Sequence, residues 1–516
     1  MPRPSDQYVH LSRGASYLMI QSLGLNAVII VSFLVLARLL STSEMGIWAI
    51  LLLVVAACQT FATWFAPAVT KYVAENRSEK PRVAAAAFYQ ALRVTSVMYL
   101  PIVIGIYLGS NFIASRILGD VSYAVLFQIL AIDIFFSAGV LPIVTAGLLG
   151  LQMFRETAII GLVVQGFVRQ SLIIALILLM RNITGLVIGG LVGDGTTAVI
   201  YTLLALRVLG TPKFDFPLTK LIGYSLPLEL SQIASFAQTW FDRVLLVAFV
   251  PLSILGIYNV ALTAFGVLTG VSNSIGNMLF PAYSSIPNRT GIQRGMSDAI
   301  YLALRYTSLI LAPLALGLLA TAKPALTLLV GESYVGGYLP LSILCGAFAL
   351  VSFATALSPV LLALGETKLF ALVTGITVPV GLAVAWTLLP VWGILAAATS
   401  RAVVMVLFAL LMIIMIRRKI TLRIDLHAIA KPLFAGVVMM LVVIAVQLVS
   451  YSKFLLPLYV FVGIVTYLIM LRALRAVDLN DMNLLRRFLG RLSPLCNTLD
   501  WVVASPTKEL DHGAPL

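Results

Sequence analysis

In this chain of 516 residues, 61% are apolar and only 10% charged, with a mean hydropathy of +1.05; a soluble domain carries about 25% charged residues. Three separated cysteines, Cys58, Cys345 and Cys496, and three scattered histidines indicate neither a disulfide framework nor a zinc site, and no Walker A segment is present to bind ATP. The net charge of +14 reads as basic loops facing anionic lipid, not as a nucleic-acid surface.

At about twenty apolar residues per crossing, the sequence predicts an all-α polytopic membrane protein. Its fourteen spans lie near 16–38, 47–67, 85–109, 123–150, 157–180, 183–206, 222–249, 255–282, 299–322, 339–364, 369–389, 392–416, 432–450 and 455–472. The first segment has no small-x-small cleavage site and is expected to be retained. An even count puts both termini on one side. With this alternation 24 Lys and Arg fall on the side of the termini and 5 on the other, so the positive-inside rule makes the termini cytoplasmic.

The chain is duplicated. Tyr89-Gln-Ala-Leu-Arg93-Val-Thr-Ser96 recurs as Tyr301-Leu-Ala-Leu-Arg305-Tyr-Thr-Ser308, and Pro101, Gly105 and Gly119-Asp120 meet Pro313, Gly317 and Gly331-Glu332 at the same offset. Gly46-Ile-Trp48 is answered by Gly256-Ile-Tyr258. Six spans per copy keep the copies parallel, so the expected plan is two six-helix lobes related by a pseudo-two-fold axis along the membrane normal, as in some secondary transporters. The expected parts are a cytoplasmic N-terminus (1–15), lobes at 16–212 and 213–424, extra helices thirteen and fourteen (425–474) and a cytoplasmic tail (475–516). In the tail, Leu484, Phe488 and Leu492 suit a short interfacial helix, with a solvated basic tail as the alternative.

Ionisable groups in hydrocarbon are costly and therefore candidate site residues. Arg93 and Arg305 lie near the cytoplasmic ends of spans three and nine. Their matched positions favour a clamp across a central cleft over snorkelling to headgroups. Arg169 and Arg401 lie deeper, and each either awaits a ligand or pairs with Asp133 or Asp194 at the same depth. Arg243 is expected to pair locally with Asp242. Ser225, Glu229, Gln232, Ser235, Thr239 and Asp242 recur at helical spacing in span seven and predict a stripe lining a watery cavity. Gln21, Ser22, Asn26 and Ser32 of span one are expected to line it too. Gly185, Gly189 and Gly193 form a ridge for close helix packing. Guanidinium forks suit phosphate, so Arg93, Arg305, Arg169 and Arg401, with Gln232 and Asn26, are the candidate binders of an anionic substrate. Asp133, Asp194, Glu229 and Asp242 are the candidates for binding a coupling proton or sodium ion. No cofactor or metal is expected.

Certain segments resemble the Wzx-type lipid-linked oligosaccharide flippases of the multidrug/oligosaccharidyl-lipid/polysaccharide superfamily. They are Arg13-Gly-Ala-Ser-Tyr17, Ala37-Arg38 through Glu44-Met-Gly46, Lys71-Tyr-Val-Ala-Glu75, Tyr224-Ser-Leu-Pro227, Asp242-Arg243 and Leu364-Gly-Glu-Thr-Lys368. The resemblance covers the whole chain through loose motifs. It implies a non-enzymatic carrier in the bacterial cytoplasmic membrane that flips sugar repeat units on polyprenyl diphosphate. Its implied partners are membrane lipid, glycosyltransferases and a polysaccharide polymerase. The competing readings are a lipid II flippase, a multidrug/cation antiporter and, more remotely, a multipass glycosyltransferase or polymerase.

Overall fold

The computed structural model describes residues 4–60, 63–286, 292–420 and 425–477. The interfacial helix expected around Leu484–Leu492 lies outside them. All regular structure among the described residues is helical, the solution available to a backbone that finds no water in hydrocarbon. The chain divides into two compact units, residues 1–260 with 386–394, and residues 261–385 with 395–516.

The first unit contains α1 (Pro4–Leu39), α2 (Thr42–Thr60), α3 (Ala66–Asn76), α4 (Pro81–Leu108), α5 (Ser110–Ile113), α6 (Ala124–Ile134), α7 (Leu141–Gly150), α8 (Phe154–Ile160), α9 (Arg169–Met180), α10 (Thr184–Leu209) and α11 (Leu218–Phe249). Phe135–Val140 joins α6 to α7 and Gly161–Val168 joins α8 to α9 as π-helical turns. Ser41 starts α2 as a capping box: its hydroxyl and amide both donate to Glu44, whose own N–H donates back to the Ser41 hydroxyl. The core gathers Val69, Val73, Phe88, Tyr89, Ile143, Val144 and Tyr201. The glycine ridge of α10 lies on α9, and a Cβ at Gly185 or Gly189 would come within 2.6 or 2.8 Å of backbone atoms of Leu176 or Ile173. Helix α11, placed by sequence at the head of the second copy, packs here on α2, α3 and the turn at Thr63–Phe65.

Helix α12 (Leu252–Ser284) begins in the first unit and crosses α2 there. A Cβ on Gly46 would meet the Leu252 carbonyl oxygen at 1.9 Å, and a Cβ on Gly256 would meet that of Thr42 at 2.0 Å. Leu252 stands to Thr42 in the repeat as Gly256 stands to Gly46, so the crossing is reciprocal.

The second unit contains the rest of α12, then α13 (Ile292–Leu329), α14 (Tyr338–Val351), α15 (Ser358–Ala363), α16 (Thr367–Trp392) up to residue 385, α17 (Ile394–Arg417) from residue 395, α18 (Leu426–Val449) and α19 (Leu456–Ala473). Its core includes Ile300, Leu304, Val360, Val373, Met412 and Ile416. The duplication persists in the helix starts: Thr42 and Leu252, Pro81 and Ile292, Thr184 and Ile394.

Helices α18 and α19 lie along α13, which contains Pro313 and Pro324. A proline has no N–H and frees the carbonyl four residues earlier, here Leu309 and Ala320. The Tyr467 hydroxyl donates to the Leu309 carbonyl at 2.8 Å, and Gln447 Nε2 donates to that of Ala320 at 2.9 Å. The two helices outside the duplication thus complete the hydrogen bonding of α13.

Thirteen described helical segments, not fourteen, are long and apolar enough to cross a membrane by length and composition. The missing one is α11, 32 residues long, whose polar stripe lowers its hydropathy.

Candidate functional site

Asp133 is the penultimate residue of α6, whose only other polar residue is Gln128, and the helix then passes through the π-turn carrying Ser137. Arg169 begins α9 directly after the second π-turn. Inserting one residue per turn rephases a helix, and such turns recur at functional sites. Arg169 Nε lies 3.1 Å from Asp194 Oδ1, and Nη2 donates to Asp194 Oδ2 at 3.1 Å. Asp133 and Asp194 are each 6% exposed. Asp133 Oδ1 and the Ser137 hydroxyl complete no hydrogen bond among the described residues. The three ionisable groups border a cavity of about 290 Å³ that Trp48, Gln59 and Trp240 also line. Gly193 makes room for the pair, since a Cβ there would lie 2.4 Å from Arg169 Cγ.

A second cavity, of about 500 Å³, opens between α3, α7 and α11, with Trp64, Pro67, Thr70, Thr145, Glu229 and Gln232 on its wall. Glu229 is 2% exposed and faces the Trp64 indole N–H, yet neither Glu229 Oε1 nor Trp64 Nε1 completes a hydrogen bond of ordinary geometry. Ser137 borders both cavities.

The polar stripe of α11 is not uniformly exposed to one cavity. Ser225, Glu229 and Asp242 are buried while Gln232, Ser235 and Thr239, which lie between them, are exposed. Asp242 accepts a 2.6 Å hydrogen bond from the Tyr258 hydroxyl and one from the Arg243 N–H at 2.9 Å. The Arg243 guanidinium lies 4.2 Å from the centre of the Trp240 ring. On α1, Ser22 and Asn26 are exposed. Ser32 instead donates to Gln170 at 2.9 Å in the interior, and a Cβ on Gly161 would touch Gln21, so these two residues knit α1 to its neighbours.

The matched arginines have different surroundings. Arg93 is exposed, with its guanidinium 4.8 Å from the centre of the Phe214 ring in the segment after α10. Arg305 Nη2 donates to the Ala476 carbonyl, just beyond α19, at 3.0 Å. Arg93 is not among the residues lining the cavity at Arg169. Arg401 is half-buried on α17 in the second unit. Among the described residues no cluster of His, Cys, Asp and Glu is arranged to hold a metal ion.

Two sequence motifs 150 residues apart converge at one end of the first unit. The Lys71 ammonium sits 4.4 Å from the centre of the Tyr224 ring and 5.3 Å from that of Tyr72. Tyr72 and Tyr224 meet edge to face at 6.2 Å, and Tyr72 packs on Phe216 at 5.1 Å. Neither this contact nor the place of Trp64 is legible in the sequence; convergence of a Lys-Tyr pair on a distant tyrosine needs the fold.

Among the described residues the chain is all-helical, with two carboxylates and a guanidinium around a cavity of the first unit. Solved transporter structures share that fold. The lipid II flippase MurJ in an inward closed conformation aligns with a TM-score of 0.70 at 14% identity, over 88% of this chain and 98% of that one. An inward-facing multidrug resistance MATE family transporter aligns with a TM-score of 0.62 at 13% identity, over 79% and 98%. Residues 35–337 match the polysaccharide biosynthesis protein family, and the chain belongs to it. The succinoglycan biosynthesis transport protein ExoT of Rhizobium meliloti (strain 1021) is 25% identical over 340 residues; the match spans 64% of this chain and 65% of that relative's length.

Proposed function

We propose that this protein carries a polyprenyl-diphosphate-linked oligosaccharide repeat unit across the bacterial cytoplasmic membrane, by alternating access and with both termini cytoplasmic. The observation that carries the reading is the Asp133–Arg169–Asp194 cluster around its cavity, within helices whose flanks are lipid-compatible. A charged cluster in hydrocarbon is maintained against a cost of several kcal/mol, and a carrier that exchanges an ion for its substrate is what such a cluster serves. Family membership supports polysaccharide as the cargo.

Asp133 and Asp194 are assigned to the coupling proton or sodium ion. Arg169, whose fork is taken by Asp194, acts with them and not as a substrate ligand. Arg93 and Arg305 are assigned to the diphosphate, where a guanidinium fork makes charge-assisted hydrogen bonds. Glycosyltransferases would supply the substrate and a polymerase would consume it.

The test is to delete the gene and measure surface polysaccharide together with the sidedness of lipid-linked repeat units. Export should fail, with the units accumulating on the inner leaflet. Wild-type protein should restore export, whereas Asp133→Asn and Arg93→Ala with Arg305→Ala should not. Normal export without the gene would refute the reading.

A further inference from the structure

We infer that the 500 Å³ cavity of the first unit receives the first sugar ring of a glycosyl diphosphate, with Lys71 at its rim holding the adjoining phosphate; this deepens the function proposed above and rests on it. Lys71 follows Thr70 and lies one turn beyond Pro67 on α3, while Tyr224 lies one turn before Leu228 on α11; Pro67, Thr70 and Leu228 all line the cavity. Residues four apart share a helix face, so the Lys71–Tyr224 contact closes the space between α3 and α11 just beyond the cavity.

Charge fixes the direction in which a substrate lies. Glu229, buried in the wall with an oxygen that has no hydrogen bond of its own, repels a phosphate and accepts from sugar hydroxyls. Gln232, Thr70 and Thr145 add donors and acceptors beside it, and Trp64 adds an apolar face with one N–H. Lys71 offers the opposite charge at the rim. Its side chain is 38% exposed and its carboxylate neighbour, Glu75, stands 4.0 Å away and is itself 54% exposed, a weak competitor for the ammonium. From Tyr224 to Glu229 is about 7.5 Å along the helix at 1.5 Å per residue, a separation that a phosphate joined to a sugar ring spans. The cavity's volume falls within the range of ligand sites.

Three synthetic probes test this on the purified full-length protein: a short-chain prenyl diphosphoglucose, the same prenyl diphosphate without sugar, and the prenyl alcohol. Wild type should bind the first most tightly and the alcohol least. Lys71→Ala should weaken both diphosphate probes at least tenfold and Lys71→Arg should restore them, whereas Glu229→Gln and Gln232→Ala should weaken only the sugar-bearing probe. Lys71→Met, which keeps the apolar stem, serves if the alanine variant fails to fold, and melting temperatures separate lost packing from lost binding. Diphosphate binding that survives loss of Lys71 but falls with Arg93→Ala would overturn this site and leave the transport reading standing. Equal weakening of all probes in Glu229→Gln would also overturn it. No binding of either diphosphate probe by wild type would sink both.

Discussion

Asp194 and Asp133 lie at equal burial in different surroundings. Asp194 neutralises Arg169 through two close contacts, so Asp194→Asn leaves a guanidinium without its counter-charge and should destabilise the protein by about 3 kcal/mol, in the range for breaking a buried pair. Asp133→Asn removes no ion pair seen here and should leave the melting temperature near wild type while abolishing export. Thermal melts of the two variants beside an export assay check both; equal melting losses would refute this division. Gly193→Leu should reproduce the Asp194 defect by pushing Arg169 off its partner, since even a Cβ falls 2.4 Å from its Cγ. Much of this cluster was legible in the sequence, because a charge stands out in an apolar run and Asp194 was one of two partners at the right depth. Glu229 was equally visible, but its neighbour Trp64 was not, since an indole in a membrane chain looks like any other apolar residue.

Helix positions were readable because hydrocarbon demands long apolar runs, and the departures all have local causes. Helix α11 broke the hydropathy pattern through its stripe, and three of the stripe's six side chains are buried because neighbouring elements pack over the two ends of the stripe and not its middle, which the spacing alone did not predict. The role of α18 and α19 was unreadable, because Tyr467 and Gln447 acquire meaning only beside the carbonyls that Pro313 and Pro324 release. Tyr467→Phe should cost about 1–2 kcal/mol, the penalty of leaving a buried acceptor unmet, and Pro313→Ala in that background should recover part of it by restoring the helix's own bond; a double-mutant cycle measures the coupling. The α2–α12 crossing gives a second cycle. Gly46→Ala and Gly256→Ala each force backbones apart and should cost about 1–3 kcal/mol or more, but together less than the sum, since one separation relieves both clashes. Strict additivity would mean that the two contacts are independent.

Across the whole molecule, the second unit has one ion pair just before α14, Lys453–Glu332 at 2.8 Å, and another just after α15, Lys419–Glu366 at 2.6 Å. The orientation proposed from the basic residues puts the first outside the cell and the second inside. In a chain with Cys58, Cys345 and Cys496 replaced by Ser, Lys453→Cys should react with an impermeant maleimide on intact cells, and Lys419→Cys only after permeabilisation; the reverse pattern would invert the topology. The span alternation that sets this expectation was the most legible property of the sequence, because it depends on composition and not on any single contact. The cluster in the first unit carries an electrical corollary. Under the proposed coupling, two ionised carboxylates against one guanidinium would leave a single negative charge, to be balanced by one monovalent cation per cycle. Across a membrane held at 100 mV, that one ion supplies about 2.3 kcal/mol, enough to sustain a roughly fiftyfold imbalance of cargo between the leaflets. A cell whose membrane voltage collapses should therefore stop coating itself well before it runs short of sugar.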